Sequence, residues 1–202
     1  MWLNNVIYEN RVIENERLEL TDRNSLYFLG HHLTLRRCTL VVGVPAKRLH
    51  VNKTRLVECT IEVTRVLKNF GWDHAHLTGC RFKGRYFSND FGNLEGTADG
   101  SIVDCDFTAA QLDMTRFLSC DARTMRFPPW PGLTILDPVR RAAELVALPW
   151  PGKLREFFQW YGEERPASTA AVTYFAPDLA KRNGTTPEAI KSVLEKLDGV
   201  YY

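Results

Sequence analysis

Apolar and polar residues alternate in short runs along the first two-thirds of the chain, and these runs repeat at an offset of 21 residues. Stretches such as R-R-C-T-L and V-E-C-T-I place apolar side chains two positions apart. A helix with its 3.6-residue period does not give this spacing, whereas a strand does. The pattern predicts β-strands that recur in every coil of a solenoid. The aligned columns are Phe28, Leu49, Phe70 and Phe91; Leu35, Leu56 and Leu77; Cys38, Cys59 and Cys80; and Leu40, Ile61 and Phe82.

Beyond residue 104 the repeat becomes shorter, because similar residues now recur every five positions. One column holds mainly small residues and the column two positions later holds mainly large apolar ones. The first column is Cys105, Ala110, Thr115, Cys120 and Met125, and the second is Phe107, Leu112, Phe117, Ala122 and Phe127.

The segment 105–127 resembles the pentapeptide-repeat family, in which a central Leu or Phe and a small residue two before it both point inward. The resemblance implies a mainly β fold, a right-handed quadrilateral β-helix. Residues 17–87 match less closely, because their coils are one residue longer and Arg85 stands where a small residue is expected. Residues 88–101 are interpreted as an inserted loop.

Residues 133–202 are predicted to form an α-helical region that caps the C-terminal end of the solenoid, which itself spans 1–132. An open solenoid end exposes strand edges that need a cover. The aromatic segments around Trp130 and Trp150 are interpreted as a hydrophobic seal between the two parts. Four helices are predicted. The first begins at Asp137 and Pro138, and the others extend over 153–162, about 175–183 and about 187–197, the last with Thr186 as N-cap.

The stretch 176–197 also has the spacing of a helix-turn-helix motif. In that case the helix from Pro187 would enter a major groove of DNA, with Glu188, Lys191 and Ser192 near the bases. Its carboxylates offset its lysines, however, so the attraction to phosphate is weak. Two antiparallel helices of an end cap explain the same pattern and are the preferred interpretation.

The five cysteines are predicted to be reduced and buried. Their number is odd, and no C-x-x-C pair or suitably spaced histidine indicates zinc. The pair His74 and His76 supplies too few ligands for a metal site. No cofactor or metal is therefore expected, and small cysteine side chains suit the inner column of a solenoid.

The net charge is only +2, but the charges are unevenly distributed along the chain. Residues 35–70 contain eight Lys or Arg and two Glu, and residues 86–121 contain seven Asp or Glu and one Arg. Stacked coils can gather such residues on one side, where they either steer charged partners or serve only as ordinary solubilising charge. The predicted basic surface is Arg36, Arg37, Lys47, Arg48, Lys53, Arg55, Arg65 and Lys68. The alternative acidic surface is Asp104, Asp106, Asp113 and Asp121.

These features favour a protein that binds another protein and is not an enzyme. Among small bacterial solenoids, the leading example is an immunity protein that neutralises a cognate toxin domain by occlusion, and this expectation comes from analogy of fold. One alternative, implied by the same resemblance, is a DNA-mimicking protein that acts on a topoisomerase. Another is a carbohydrate-active β-helix enzyme that uses the aspartates of the acidic surface. No leader or apolar span is recognised, so a cytoplasmic, membrane-free protein is expected, and nucleic acid is an improbable ligand.

Overall fold

The computed structural model describes residues 3–94 and 100–202, with only the backbone described over 161–164. Its first part is a parallel β-solenoid of about five turns. Each turn contributes short strands whose side chains alternate between the bore and solvent. In chain order the strands are β1 (Asn4–Tyr8), β2 (Val12–Glu14), β3 (Arg17–Leu20), β4 (Ser25–Leu29), β5 (Thr34–Arg36), β6 (Thr39–Val42), β7 (Leu49–Val51), β8 (Thr54–Val57), β9 (Thr60–Val63), β10 (Leu67–Lys68), β11 (Ala75–Thr78), β12 (Arg81–Phe87), β13 (Asp90–Gly92), β14 (Ser101–Val103), β15 (Asp106–Asp113) and β16 (Thr115–Leu118).

Among the described residues, three sheets that are parallel throughout form sides of the solenoid. Sheet 1 has the order β1-β4-β7, sheet 2 the order β14-β11-β8-β5-β2, and sheet 3 the order β10-β12-β9-β6-β3 with β15 beside β12. In sheet 3, Leu40 is in register with Ile61, and Ile61 with Phe82. All three side chains are fully buried. The predicted solenoid with inward residues two apart is therefore confirmed.

One predicted column is displaced by a residue. Tyr27, not Phe28, is in register with Leu49, and Phe28 is in register with His50. Tyr27 and Leu49 are buried, whereas Phe28 lies on the outer side and stacks on the His50 ring at 4.8 Å between centroids. The sequence pattern missed this step because both residues of the Tyr-Phe pair are aromatic.

A second displacement occurs at Gly84, where the chain turns from one side of the solenoid to the next. Gly84 is in register with Ala110, so it occupies the inward small position that the sequence pattern assigned to Arg85. Arg85 is exposed. The φ angle of Gly84 is +96°, and a Cβ atom there would lie 2.3 Å from the carbonyl oxygen of Val63. Only glycine fits this close approach between coils.

The predicted insertion over 88–101 is partly regular structure. Its first residues complete a coil, because β13 pairs in parallel with β16. Its last residue, Ser101, begins β14. Residues 95–99 lie outside the described part of the chain.

The cysteine columns lie inside the solenoid, as predicted. Cys59 and Cys80 have no exposed surface. Their Sγ atoms donate to the carbonyl oxygens of Leu35 and Leu56, respectively, each at 3.3 Å and each in the preceding coil. All five thiols are free, and only Cys120 is partly exposed. Packing and weak thiol hydrogen bonds therefore account for the column.

Thiol chemistry provides a direct test of this arrangement. Burial, assisted by the charge of Asp121, raises the pKa of Cys120 from 9.0 to about 12. Since the thiolate is the reactive form, Cys120 should react with a disulfide reagent at least about tenfold more slowly than an ordinary thiol. We expect slow modification of the native chain and rapid release of all five thiols in guanidinium. Fast labelling of several thiols before unfolding would contradict the inward column.

The C-terminal part contains both helices and strands, so the predicted helical region is only partly helical. Its strands continue a fourth, mainly antiparallel sheet with the order β13-β16-β18-β17-β19. Because β18 pairs with β16 of the last coil, it covers a strand edge that would otherwise be open. The boundary between 1–132 and 133–202 stays a prediction. The elements are β17 (Gly132–Leu136), α1 (Ala142–Ala147), α2 (Leu154–Glu164), β18 (Thr169–Phe175), α3 (Ala176–Asn183), α4 (Pro187–Leu194) and β19 (Val200–Tyr201).

The start of α4 agrees with the sequence-based prediction, whereas the start of α1 differs from it. The hydroxyl of Thr186 accepts a hydrogen bond from the Ala189 N–H, which confirms the predicted N-cap of α4. By contrast, α1 begins at Ala142 and not at Asp137. Asp137 adopts a φ of +48°, and its carboxylate accepts a hydrogen bond from Arg140, so it does not cap the helix.

The helices pack with β17 and β18 in a second apolar cluster, distinct from the core of the solenoid. Trp150 is buried in this cluster, and its ring lies 4.6 Å from that of Phe158. Gly184, with φ +65°, makes the turn between α3 and α4, and Leu179 and Ile190 bury the inner faces of these two helices. A DNA-binding role for 176–197 stays a prediction.

Candidate protein-binding surface

The eight cations of the basic surface fall into two groups on different sides of the solenoid. The first group lies on sheet 2 or at its corners. The second lies on the segments that lead from sheet 3 towards sheet 1, before β7 and after β9. The first group is Arg36, Arg37, Lys53 and Arg55, and the second is Lys47, Arg48, Arg65 and Lys68.

Two cations of the sheet 2 group have acidic neighbours. Arg36 and Arg37 lie 3.7 Å and 3.6 Å, respectively, from the carboxylate of Glu14 in the preceding coil. Arg37 Nε also donates to the side chain of Asn15 at 3.0 Å. Because these charges are partly balanced within the chain, they attract an external anion less strongly.

Arg55 and His76 lie side by side on the outer face of sheet 2. With Lys53 and His32 they line a shallow cavity of about 340 Å³. His76 Nδ1 is 3.0 Å from the hydroxyl of Ser101. Among the described residues, no cluster of three or more His, Cys, Asp or Glu is arranged to hold a metal ion. His74 and His76 therefore belong to no such cluster.

Three members of the second group, Lys47, Arg65 and Lys68, line a larger opening, which we call the basic cleft. This cleft has a volume of about 920 Å³. No Asp or Glu is among its lining residues, and no ion pair within the described part of the chain involves Lys47, Arg65 or Lys68. The lining is Pro45, Ala46, Lys47, Leu49, His50, Arg65, Val66, Lys68, Asn69 and Phe70.

The basic cleft exists because sheet 1 stops at β7. The following coil continues through β10, which pairs forward with β12. Gly71 likewise forms a bridge with Asp90 of the coil after it. The ladder between β7 and the residues around Phe70 is thus interrupted, although the coils meet again where the Lys53 N–H donates to the His74 carbonyl oxygen at 2.8 Å.

An aromatic surface borders the basic cleft. The stacked pair Phe28 and His50 lines a neighbouring cavity of about 670 Å³, which shares Leu49, His50 and Phe70 with the cleft. Exposed Ile7 is in register with Phe28 and extends the same outer column. Phe28 and His50 were not predicted from the sequence, because the repeat places Phe28 in the core and only the pairing register moves it outside.

Arg48 differs from its neighbours in the second group. Its Nη1 donates to the backbone carbonyl oxygen of Arg23 in the preceding coil, and the residue is half-buried. It does not line the basic cleft. Arg48 therefore ties two coils together, and Lys47, Arg65 and Lys68 are the cations that the cleft presents to solvent.

The four residues of the acidic surface have different surroundings. Asp104 is exposed at a corner, and exposed Asp121 accepts a hydrogen bond from the backbone of Arg123. Asp113 is buried and accepts two hydrogen bonds from Arg182, at 2.7 Å and 2.9 Å. Asp113 consequently has little surface left for a partner.

Asp106 accepts hydrogen bonds from the backbone and hydroxyl of Thr108 and from Arg126 Nη2, the last at 2.7 Å. Burial opposes ionisation of Asp106, but Thr108 and the charge of Arg126 hold the pKa of its carboxyl below the ordinary value. Asp106 is thus ionised near neutral pH. A catalytic acid needs the opposite shift, a raised pKa.

Within residues 3–94 and 100–202, none of the helices is long and apolar enough to cross a membrane. Comparison with known protein families, curated proteins and solved structures finds no match to the chain.

Proposed function

We propose that the chain is a non-enzymatic protein-binding module, and specifically an immunity protein that neutralises a cognate bacterial toxin domain by occlusion. The observation that carries this proposal is the basic cleft, an open site that, among the described residues, is lined by three exposed cations and by no carboxylate. Cationic clefts steer acidic partners and fix their orientation. The bordering pair Phe28 and His50 adds aromatic area of the kind that anchors protein interfaces.

We further propose that the solenoid is of the pentapeptide-repeat type and acts in the cytoplasm. Support for the first part is the five-residue column Phe107, Leu112 and Phe117, whose members are all buried. Support for the second is the set of five unpaired thiols, which a reducing compartment preserves. Mimicry of DNA is less favoured, because Asp106 and Asp113 already bind Arg126 and Arg182.

Co-expression with the product of the adjacent gene tests the immunity proposal. We expect the chain to relieve the growth arrest caused by that product and to copurify with it. Reversal of the three cleft charges in a Lys47→Glu, Arg65→Glu, Lys68→Glu variant should weaken the complex at least about tenfold, with a weaker effect at high salt. Affinity would be measured by calorimetry at two salt concentrations.

A matched variant controls for the change in net charge. Arg155→Glu, Lys181→Glu and Lys196→Glu reverse three exposed cations of the helical region. This variant should keep affinity and protection. Failure of the unmodified chain to protect cells or to bind the neighbouring product would refute the immunity proposal, and inhibition of gyrase supercoiling by the chain would favour DNA mimicry instead.

A further inference from the structure

The strand that borders the basic cleft, β7, has a free edge. Sheet 1 ends at β7, and among the described residues no backbone hydrogen bond joins Leu49–Val51 to the segment around Phe70. Such an edge is a template on which another extended chain can pair. Unlike β1, the opposite edge of the same sheet, β7 borders the basic cleft.

The direction of the free backbone groups follows from the neighbouring hydrogen bonds. The Asn52 N–H donates to Leu29 in β4, whereas the Lys53 N–H points the other way, to His74 in the next coil. Alternate residues of a parallel strand face opposite neighbours. The Val51 N–H and the carbonyl oxygens of Leu49 and Val51 therefore face away from β4, towards the basic cleft at Leu49 and the neighbouring cavity at Val51.

The side chains around this edge define what could pair there. Lys47, Arg65 and Lys68 line the basic cleft at the Leu49 end of this edge, whereas Lys53 and Asp73 line the neighbouring cavity at its Val51 end. Leu49 and Phe70 supply a largely buried apolar floor. In an extended chain, successive side chains point to opposite faces. A segment of alternating acidic and apolar residues matches both features, because one face meets the cations and the other meets the floor.

We infer that the basic cleft receives an extended acidic segment of the protein partner, which adds as a strand to the free edge of β7. This inference rests on the proposed function and specifies the chemistry of the partner. A strand partner is favoured over nucleic acid because β7 offers peptide N–H and C=O groups at strand spacing. Main-chain hydrogen bonds give such complexes their affinity, and alternate side chains give them specificity.

Titration of the full chain with labelled synthetic octapeptides tests the inference. The probe alternates Glu and Val, one control replaces Glu by Lys, and a second control carries N-methyl groups on alternate residues. We expect the Glu peptide to bind, the Lys peptide not to bind, and the N-methylated peptide to bind at least about tenfold more weakly. The Lys68→Glu variant should bind the Glu peptide more weakly by a similar factor, and the Lys181→Glu variant should bind it as the unmodified chain does.

Hydrogen exchange measured on the same complex locates the peptide. The Val51 amide should exchange more slowly with the Glu peptide bound, whereas the amides of β1 should not change. Equal binding of the N-methylated peptide would overturn strand addition, and so would protection of β1 alone or tighter competition by single-stranded RNA.

Failure of the inference and failure of the proposed function give different results. If co-expression protects cells but neither the peptide nor Lys68→Glu has an effect, the partner binds elsewhere and only the strand-addition site is wrong. If the peptide binds and protects Val51 but no neighbouring product is neutralised, the site stands and the immunity function is wrong.

Discussion

Replacement of Gly84 by Ala is expected to reduce the free energy of unfolding by about 3 kcal/mol or more. The added Cβ would lie 2.3 Å from the Val63 carbonyl oxygen, which is backbone and cannot rotate away. The φ of +96° adds strain for any residue with a side chain. Urea unfolding followed by circular dichroism should therefore show a markedly lower midpoint for Gly84→Ala.

Gly79→Asn is the matched control, since it also adds a side chain at a positive φ. Gly79 has a φ of +62°, and a Cβ there would meet only ordinary contacts, the nearest at 3.6 Å from Glu58. Equivalent corners in other coils accept Asn15, Arg37 and Asp104 in the same conformation. The change in unfolding free energy should stay below about 1 kcal/mol. Equal losses for the two variants would mean that the contact with Val63 is not the cause.

The contrast between these glycines explains what could be predicted from sequence. Inward columns were recognisable because every coil repeats the same small and large apolar residues, as in Cys59 and Ile61. The conformation at the corners was not recognisable, because Arg37 and Glu58 adopt positive φ angles that nothing in the sequence indicates. The coil pairing imposes that conformation. The displaced register at Gly84 was also not recognisable from the sequence, since the chain there has one residue fewer than the strict repeat.

The binding surface was only partly predictable for a related reason. Clustering of Lys and Arg over 35–70 indicated a cationic surface, and stacking does bring Lys47 close to Arg65 and Lys68 around one cleft. Which cations share a side depends on where corners fall, and this requires the register. The interruption after β7 had no sequence signal, because residues 67–72 continue the apolar pattern while they pair forward.

Asp113 and Arg182 lie 69 residues apart in sequence, so their contact could not be predicted from the sequence either. It leads to a second large expected effect, in which the two partners are unequal. The Asp113 side chain is 5% exposed and that of Arg182 is 35% exposed. Removing the arginine leaves a buried carboxylate without its cation, which costs about 3 kcal/mol of unfolding free energy. Removing the aspartate leaves an arginine that can turn towards water and costs, besides this ion pair, the hydrogen bond from the partly buried Phe175 N–H.

We therefore expect Arg182→Ala to be clearly more destabilising than Asp113→Ala, and the double variant to be more stable than Arg182→Ala alone. Urea unfolding of the three variants measures this order. Arg126→Ala is the control, because its pair with Asp106 has the same 2.7 Å distance, but the Asp106 side chain is less buried, at 14% exposed, and keeps two hydrogen bonds from Thr108. The free energy of unfolding of the Arg126→Ala variant should fall by less than about 1 kcal/mol.

The same variants decide whether Asp113 belongs to a binding surface. If Asp113 acts only by holding α3 on the last coil, Asp113→Asn should bind the partner as the unmodified chain does, at a temperature where both are folded. A loss of affinity without a loss of stability would instead place the partner on the acidic surface, and the basic cleft would lose its priority. Because the buried carboxylate already accepts three hydrogen bonds, from Arg182 and the Phe175 N–H, we expect unchanged affinity.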